Sequence, residues 1–205
     1  MKLDKYRKKR HFGVTPEPEG ATNPPGDRRK RLIFVVQKHL ASHLHYDFRL
    51  EWRGVLLSWA VPKGPSRDPS VKRLAVPTED HPLEYANFEG IIPPGEYGAG
   101  TVMVWDRGVW IPDAPDVDAN LKEGELKFTL DGKKLKGAWV MVRARGGWSG
   151  SSDKPYWMLI KHRDAFASKE DITETKPLSA ISGRTLEQIT KTGAQGTEKA
   201  KRTAS

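Results

Sequence analysis

The sequence turns on the run Gln37-Lys38-His39-Leu40-Ala41-Ser42-His43-Leu44-His45-Tyr46-Asp47-Phe48-Arg49-Leu50-Glu51-Trp52. In an extended strand alternate side chains share a face, so His45, Asp47, Arg49 and Glu51 point one way while Tyr46, Phe48, Leu50 and Trp52 point the other. One face carries chemistry and the other is core. Residues 32–40 read as a preceding strand, and antiparallel pairing through the Leu40–Leu44 turn brings His39 close to His45.

Arg53-Gly54 is a short turn into a third strand at 55–62, and further strands are expected at 73–78, 100–105, 124–130, 135–144 and 156–162. Asp131-Gly132-Lys133-Lys134 is a strong hairpin signal. Short helices are expected only at 121–123 and around 165–169. Many short strands, dense turn residues and little helical periodicity predict an all-β fold, an antiparallel β-barrel closed or nearly closed. Residues 1–31 read as a basic, Pro/Gly-rich N-terminal arm, mobile or laid across the barrel. Residues 32–167 form the barrel domain, and 168–205 are expected to be a disordered, polar, basic tail.

With 205 residues the chain fits one domain with a packed core. Its 35 Lys and Arg against 26 Asp and Glu leave a net charge of +9, which suits a polyanionic partner such as nucleic acid. No apolar run approaches the roughly 20 residues a membrane helix needs. Met1-Lys2-Leu3-Asp4-Lys5 runs into charge with no apolar signal region behind it, so a cytoplasmic protein is expected. The absence of cysteine removes disulfides and thiolate chemistry, leaving His, Asp and Glu as metal ligands.

His39, His45 and Asp47 make such a ligand set, two imidazoles and a carboxylate that leave coordination positions open for substrate and water. The same spacing also fits histidines that merely donate to backbone carbonyls. His43 lies in the turn and reads as solvated. A guanidinium beside a metal is repelled unless an anion sits between them, so Arg49 points to a phosphate; pairing with Asp47 or Glu51 is the plainer alternative. His81 and Tyr85 follow a strand on a loop, where a histidine can hydrogen-bond or protonate a phosphate oxygen. Taken alone, they fit equally well as a surface histidine and a core ring. Lys63 and Arg73 flank Gly64-Pro65-Ser66 and could extend an anion-binding surface.

Several ordered blocks go beyond what spacing can say: Phe34-Val35-Val36-Gln37-Lys38-His39, His45-Tyr46-Asp47-Phe48-Arg49-Leu50-Glu51, Ser58-Trp59-Ala60-Val61-Pro62-Lys63-Gly64-Pro65, Glu79-Asp80-His81-Pro82-Leu83-Glu84-Tyr85 and Ile92-Pro93-Pro94-Gly95-Glu96-Tyr97-Gly98-Ala99-Gly100. Over about residues 6 to 163 the chain closely resembles the 3′-phosphoesterase domain of DNA ligase D. The resemblance implies an antiparallel β-barrel with a divalent metal, preferably manganese (Mn2+). It also implies trimming of DNA 3′ ends in non-homologous end joining, by removal of a terminal ribonucleoside and then of the 3′-phosphate left behind.

By the same resemblance, His39, His45 and Asp47 hold the metal and Arg49, His81 and Tyr85 surround the scissile phosphate. Lys63, Arg73 and Glu79 match supporting, substrate-binding positions. In the arm, Arg10 and Glu17 match an active arginine and glutamate, but His11 stands where the family has an aspartate, which implies a weakened diesterase step. DNA ends are the implied substrate; a Ku-type protein and a separate ligase are the implied partners, at the nucleoid of a prokaryotic cytoplasm. No polymerase or ligase domain fits in the remaining residues, so a stand-alone protein or a piece of a longer chain is expected. Two other functions fit the same residues: a non-haem iron oxygenase on a β-barrel, whose facial triad also uses His-x-Asp, and a non-catalytic nucleic-acid-binding barrel.

Overall fold

The structure, a computed structural model, describes residues 3–20, 31–144 and 155–192. Nine strands run in chain order: β1 (Ile33–Leu40), β2 (Leu44–Trp52), β3 (Val55–Val61), β4 (Lys72–Pro77), β5 (Gly90–Ile92), β6 (Gly100–Pro112), β7 (Glu125–Gly132), β8 (Lys136–Ala144) and β9 (Tyr156–Lys161). They pair antiparallel in the order β1-β2-β3-β4-β9-β8-β7-β6-β5, and a further β1–β6 ladder joins the two ends. The result is a closed eight-stranded barrel with β5 as a short extra strand on β6, as the strand and turn spacing predicts. Short helices α1 (Asp4–Lys8), α2 (Val117–Glu123) and α3 (Ile172–Thr175), and a 3-10 turn at Leu83–Asn87, lie outside it.

Phe34, Val36, Tyr46, Phe48, Leu50, Met103, Trp105, Trp110, Phe128 and Trp139 fill the barrel as one buried cluster. Each buried indole among them finds a carbonyl: Trp105 Nε1 donates to Lys176 at 2.8 Å and Trp110 Nε1 to Glu51 at 3.1 Å. Strand β7 alternates buried and exposed along its length, as expected of a wall with solvent outside. Strands β1 and β2 do not alternate: Tyr46 to Leu50 are buried without interruption. Their outer face is covered by a second layer in which Leu3 and Tyr6 of the arm pack with Val35, Leu56, Tyr85 and Val104. The arm is therefore laid on the barrel from 3 to 20; residues 21–30 lie outside the described residues.

The expected tail departs from its reading up to residue 192. Ile172 and Ile189 are fully buried in the barrel cluster, and the Ala180 N–H donates to the Val104 carbonyl at 2.8 Å. Two isolated isoleucines in a polar stretch give no period, so only the open end of the barrel reveals what they cover. Residues 193–205 lie outside the described residues. The helix expected near 165–169 is a turn in which Asp164 accepts from the Phe166 N–H at 2.8 Å. Helix α3 starts later, capped by Asp171. The hairpin turn also shifts, because the ladder continues through Asp131 opposite Lys136.

That turn is anchored by Asp106, fully buried, which accepts from the backbone N–H groups of Arg107, Lys134 and Leu135 at 2.9, 3.0 and 2.8 Å. Burial pushes the Asp106 carboxyl up to about 6 in spite of those donors. A carboxyl harder to ionise folded than unfolded stabilises below the ordinary carboxylate pKa, and that contribution is lost as pH rises through about 6. Replacing Asp106→Ala leaves three N–H groups without their acceptor, an expected loss on the order of 3 kcal/mol. The denaturant midpoint is the readout, and an unchanged midpoint would mean that water replaces the carboxylate.

Candidate active site

The β1–β2 register sets His39 directly opposite His45, with ring centroids 4.8 Å apart. Asp47 follows on the same outer face: its Oδ2 lies 3.6 Å from His39 Nδ1 and 3.8 Å from His45 Nε2. The three ligand atoms fall within 4.8 Å of one another. Each imidazole has its other nitrogen engaged by a backbone carbonyl, His39 Nε2 with Gly98 at 2.9 Å and His45 Nδ1 with His43 at 3.0 Å. Donation there fixes the tautomer that leaves Nδ1 of His39 and Nε2 of His45 as lone pairs aimed at one point. The alternative of carbonyl-bonded histidines thus holds together with the ligand set, and the donors fit a divalent transition metal. Gly98 adopts φ +76, and an added Cβ would come 3.7 Å from His39 Cε1. His43 contributes its carbonyl and is itself exposed.

Arg49 is buried beside them, its Nη2 3.2 Å from Asp47 Oδ2 and its Nε donating to Gln37 Oε1 at 2.8 Å. Burial works to raise the Asp47 pKa, but the Arg49 charge beside it outweighs that and holds the carboxyl well below the usual range. Gln37, which sequence reasoning missed, donates to the carbonyls of Tyr85 and Phe88, both at 3.0 Å. It ties the guanidinium to the 3-10 turn. The available signal was its position two residues before His39, a polar side chain on the same face of an apolar strand.

His81 Nδ1 lies 2.8 Å from the Glu79 carbonyl and 2.9 Å from Arg49 Nη1. One nitrogen cannot donate to the first and accept from the second at the same time. Donation to Glu79 leaves Nε2 to accept from Arg10 Nη2 at 3.3 Å and frees an Arg49 N–H for an anion in the cavity. Burial, then the charges of Arg49 and Arg10, hold the imidazole well below its usual pKa, so it is neutral at pH 7.

The arm supplies the opposite wall. Arg10 Nε donates to Glu17 Oε1 at 2.9 Å and Nη1 to Glu79 Oε1 at 3.1 Å, while its guanidinium stacks 3.8 Å over the Tyr6 ring. Glu17 is fully enclosed and also accepts from Tyr85 Oη at 3.1 Å and Thr15 Oγ1 at 2.9 Å. Tyr85 is kept protonated by burial and by that carboxylate. His11, by contrast, is an exposed rim residue paired with Glu96 at 3.1 Å.

Arg10, His39, His45, Asp47, Arg49, Glu79, His81 and Tyr85 all line one cavity of about 180 Å³. Glu17 stands behind them, bonded to Arg10 and Tyr85. Lys63 and Arg73 are not in that lining: Lys63 is exposed on the loop after β3, and Arg73 sits on β4 in the field of Asp171. Tyr6, Thr78, Ile92 and Tyr97 belong to the site's surroundings and are not among the expected site residues; Ile92 and Tyr97 stand in a block that carries the resemblance, but no spacing ties any of the four to the metal-ligand residues.

Together these features define a closed β-barrel protein whose outer face carries a His39-His45-Asp47 group that could hold a metal ion, beside the buried guanidiniums of Arg10 and Arg49. The chain belongs to the DNA ligase D 3′-phosphoesterase domain family, whose model matches residues 37–143. It is 52% identical over 189 residues to the multifunctional non-homologous end joining protein LigD of Pseudomonas aeruginosa, covering 90% of this chain and 22% of that protein. It is 47% identical over 146 residues to the multifunctional non-homologous end joining DNA repair protein LigD of Mycobacterium tuberculosis, covering 71% and 19%. The chain thus spans about a fifth of the length of these curated relatives. Among the described residues no helix is long and apolar enough to cross a membrane.

Two outcomes follow from this geometry. A divalent transition metal at 100 times its Kd should stabilise the protein by about 2.7 kcal/mol, read as a rise in Tm, and His45→Ala should abolish most of that rise. Replacing Glu17→Ala leaves Arg10 with Glu79 as its remaining carboxylate and strips the Tyr85 and Thr15 hydroxyls of their acceptor, with an expected cost of about 2–3 kcal/mol and faster proteolysis within residues 3–20. Equal digestion of variant and wild type would show that the pair does not hold the arm.

Proposed function

We propose that this chain is a manganese-dependent phosphoesterase that heals DNA 3′ ends for non-homologous end joining. It removes a 3′-terminal ribonucleoside and then the remaining 3′-phosphate, leaving a 3′-hydroxyl for a separate ligase, with a Ku-type end-binding protein as the recruiting partner. The observation that carries this reading is the shared cavity in which His39, His45 and Asp47 face Arg49. Family membership and the end-joining names of the relatives support it, as does the chain's basic charge.

In the first step water adds to phosphorus and the bond to the 5′-oxygen of the terminal ribonucleoside breaks; in the second the bond to the 3′-oxygen of the primer breaks, and each leaving oxygen takes up a proton. His39, His45 and Asp47 would hold a divalent ion, which would supply Lewis acidity toward a phosphoryl oxygen. Arg49 carries charge developing on a non-bridging oxygen from a guanidinium already oriented by Gln37 and Asp47. His81 serves as an acid or an oxyanion donor toward the phosphate; burial and then the Arg49 and Arg10 charges keep the imidazole neutral in its absence, and the phosphate charge offsets those of the guanidiniums. Arg10, Glu17, Glu79 and Tyr85 position His81 and exclude water, and Lys63 and Arg73 contact backbone phosphates outside the cavity. With His11 in place of a carboxylate, the diester step is the weaker of the two.

On a primer-template with one 3′-terminal ribonucleotide, His39→Ala, Asp47→Ala and His81→Ala should each lower manganese-dependent product release by 100-fold or more. Full activity in any of them refutes that residue's role. Turnover that requires iron and 2-oxoglutarate, or metal-independent DNA binding with no end processing, would overturn the reading as a whole.

A further inference from the structure

Tyr97 is the one large ring at the cavity that the mechanism above leaves unused. It lines the same cavity as the metal-ligand group, yet 49% of it is exposed. Most of the large aromatic rings described are buried in one of two layers; Phe166, 47% exposed, lies away from this cavity, so Tyr97 is the half-open ring at its rim.

The ring is also held still. Lys9 Nζ lies 4.1 Å from its centroid and donates to Tyr97 Oη at 3.0 Å, while the Arg10 guanidinium stands 5.6 Å from the centroid. Its loop is folded by two successive turns, Glu96 N–H to Pro93 at 3.2 Å and Ala99 N–H to Glu96 at 3.0 Å. The next residue, Gly98, holds His39 through its carbonyl. The ring therefore keeps a fixed place relative to the metal-ligand group. Ala41, Ala60 and Ile92 contribute apolar lining to the same cavity, which a phosphate alone would leave without a partner.

We propose that Tyr97 is the stacking platform for the nucleobase of the nucleotide whose 3′-oxygen carries the phosphate. This rests on the phosphoesterase reading of the site. A π-face recognises every base alike, so the contact supplies affinity for a DNA 3′ end without sequence preference, which an end-processing activity requires. Stacking also separates a nucleic-acid 3′-phosphate from a small phosphate ester, which can fill the cavity but not reach the ring.

The experiment uses two primer-templates ending in a 3′-phosphate, one with a normal terminal base and one with an abasic spacer at that nucleotide. Phosphate release with manganese gives KM and kcat. Fluorescence anisotropy in chelator gives the binding constant without turnover. Tyr97→Ala should weaken binding and raise KM roughly 10-fold on the base-bearing end, leave kcat within about twofold, and change neither constant on the abasic end. Tyr97→Phe, which keeps the ring and loses the bond to Lys9, should behave as wild type. Equal losses by Tyr97→Ala on both ends would assign Tyr97 a structural role through Lys9 or Gly98, and no loss on either would leave it idle; both overturn the proposal while the phosphoesterase reading stands. No phosphate release by the wild type from either end would bring down that reading and this one together.

Discussion

The buried Arg10–Glu17 pair is the interaction on which the rest of the site depends. Two opposite charges taken out of water are tolerable only when each remaining hydrogen-bonding position is also filled. Glu17 meets that condition by accepting from Arg10, Tyr85 and Thr15, and Arg10 by donating to Glu17, Glu79 and the Tyr6 carbonyl. Satisfying these groups requires the arm, the 79–81 segment and the 3-10 turn to be in place at once. The arm is thus part of the site and not a leash attached to it.

A closed barrel ordinarily offers its interior to the core and its outside to water. Here β1 and β2 are buried on both faces, with the aromatic cluster inside and the arm with the 3-10 turn outside. The space between sheet and arm is where the metal-ligand group, Arg49 and His81 meet. Arg10 and Arg49 are buried there, so an anion in that space would meet their charge in a lower dielectric than at an exposed surface. The same enclosure keeps His81 neutral and Tyr85 protonated, so protonation states are set by the fold before any substrate arrives.

Rigidity in the site comes from backbone as much as from side chains. Carbonyls of Gly98 and His43 orient the two imidazoles, and those of Tyr85 and Phe88 orient Gln37, which in turn orients Arg49. Each is a hydrogen bond from a functional side chain to main chain already fixed by a turn or strand, which costs little further ordering when a ligand binds.

Period two along residues 44–52 was enough to separate core from chemistry and to bring His39, His45 and Asp47 together, because strand alternation and hairpin register are local. The barrel class followed from strand count and turn residues for the same reason. Gln37, Tyr6 and Tyr97, the exclusion of Lys63 and Arg73 from the cavity, and the covering of the barrel's end by Ile172 and Ile189 were not legible. They depend on which surfaces meet after the chain has closed on itself, and no local period records that. The neutrality of His81 belongs with them: an imidazole's charge is decided by burial and by guanidiniums 71 and 32 residues away in sequence, neighbours only the tertiary fold can assemble.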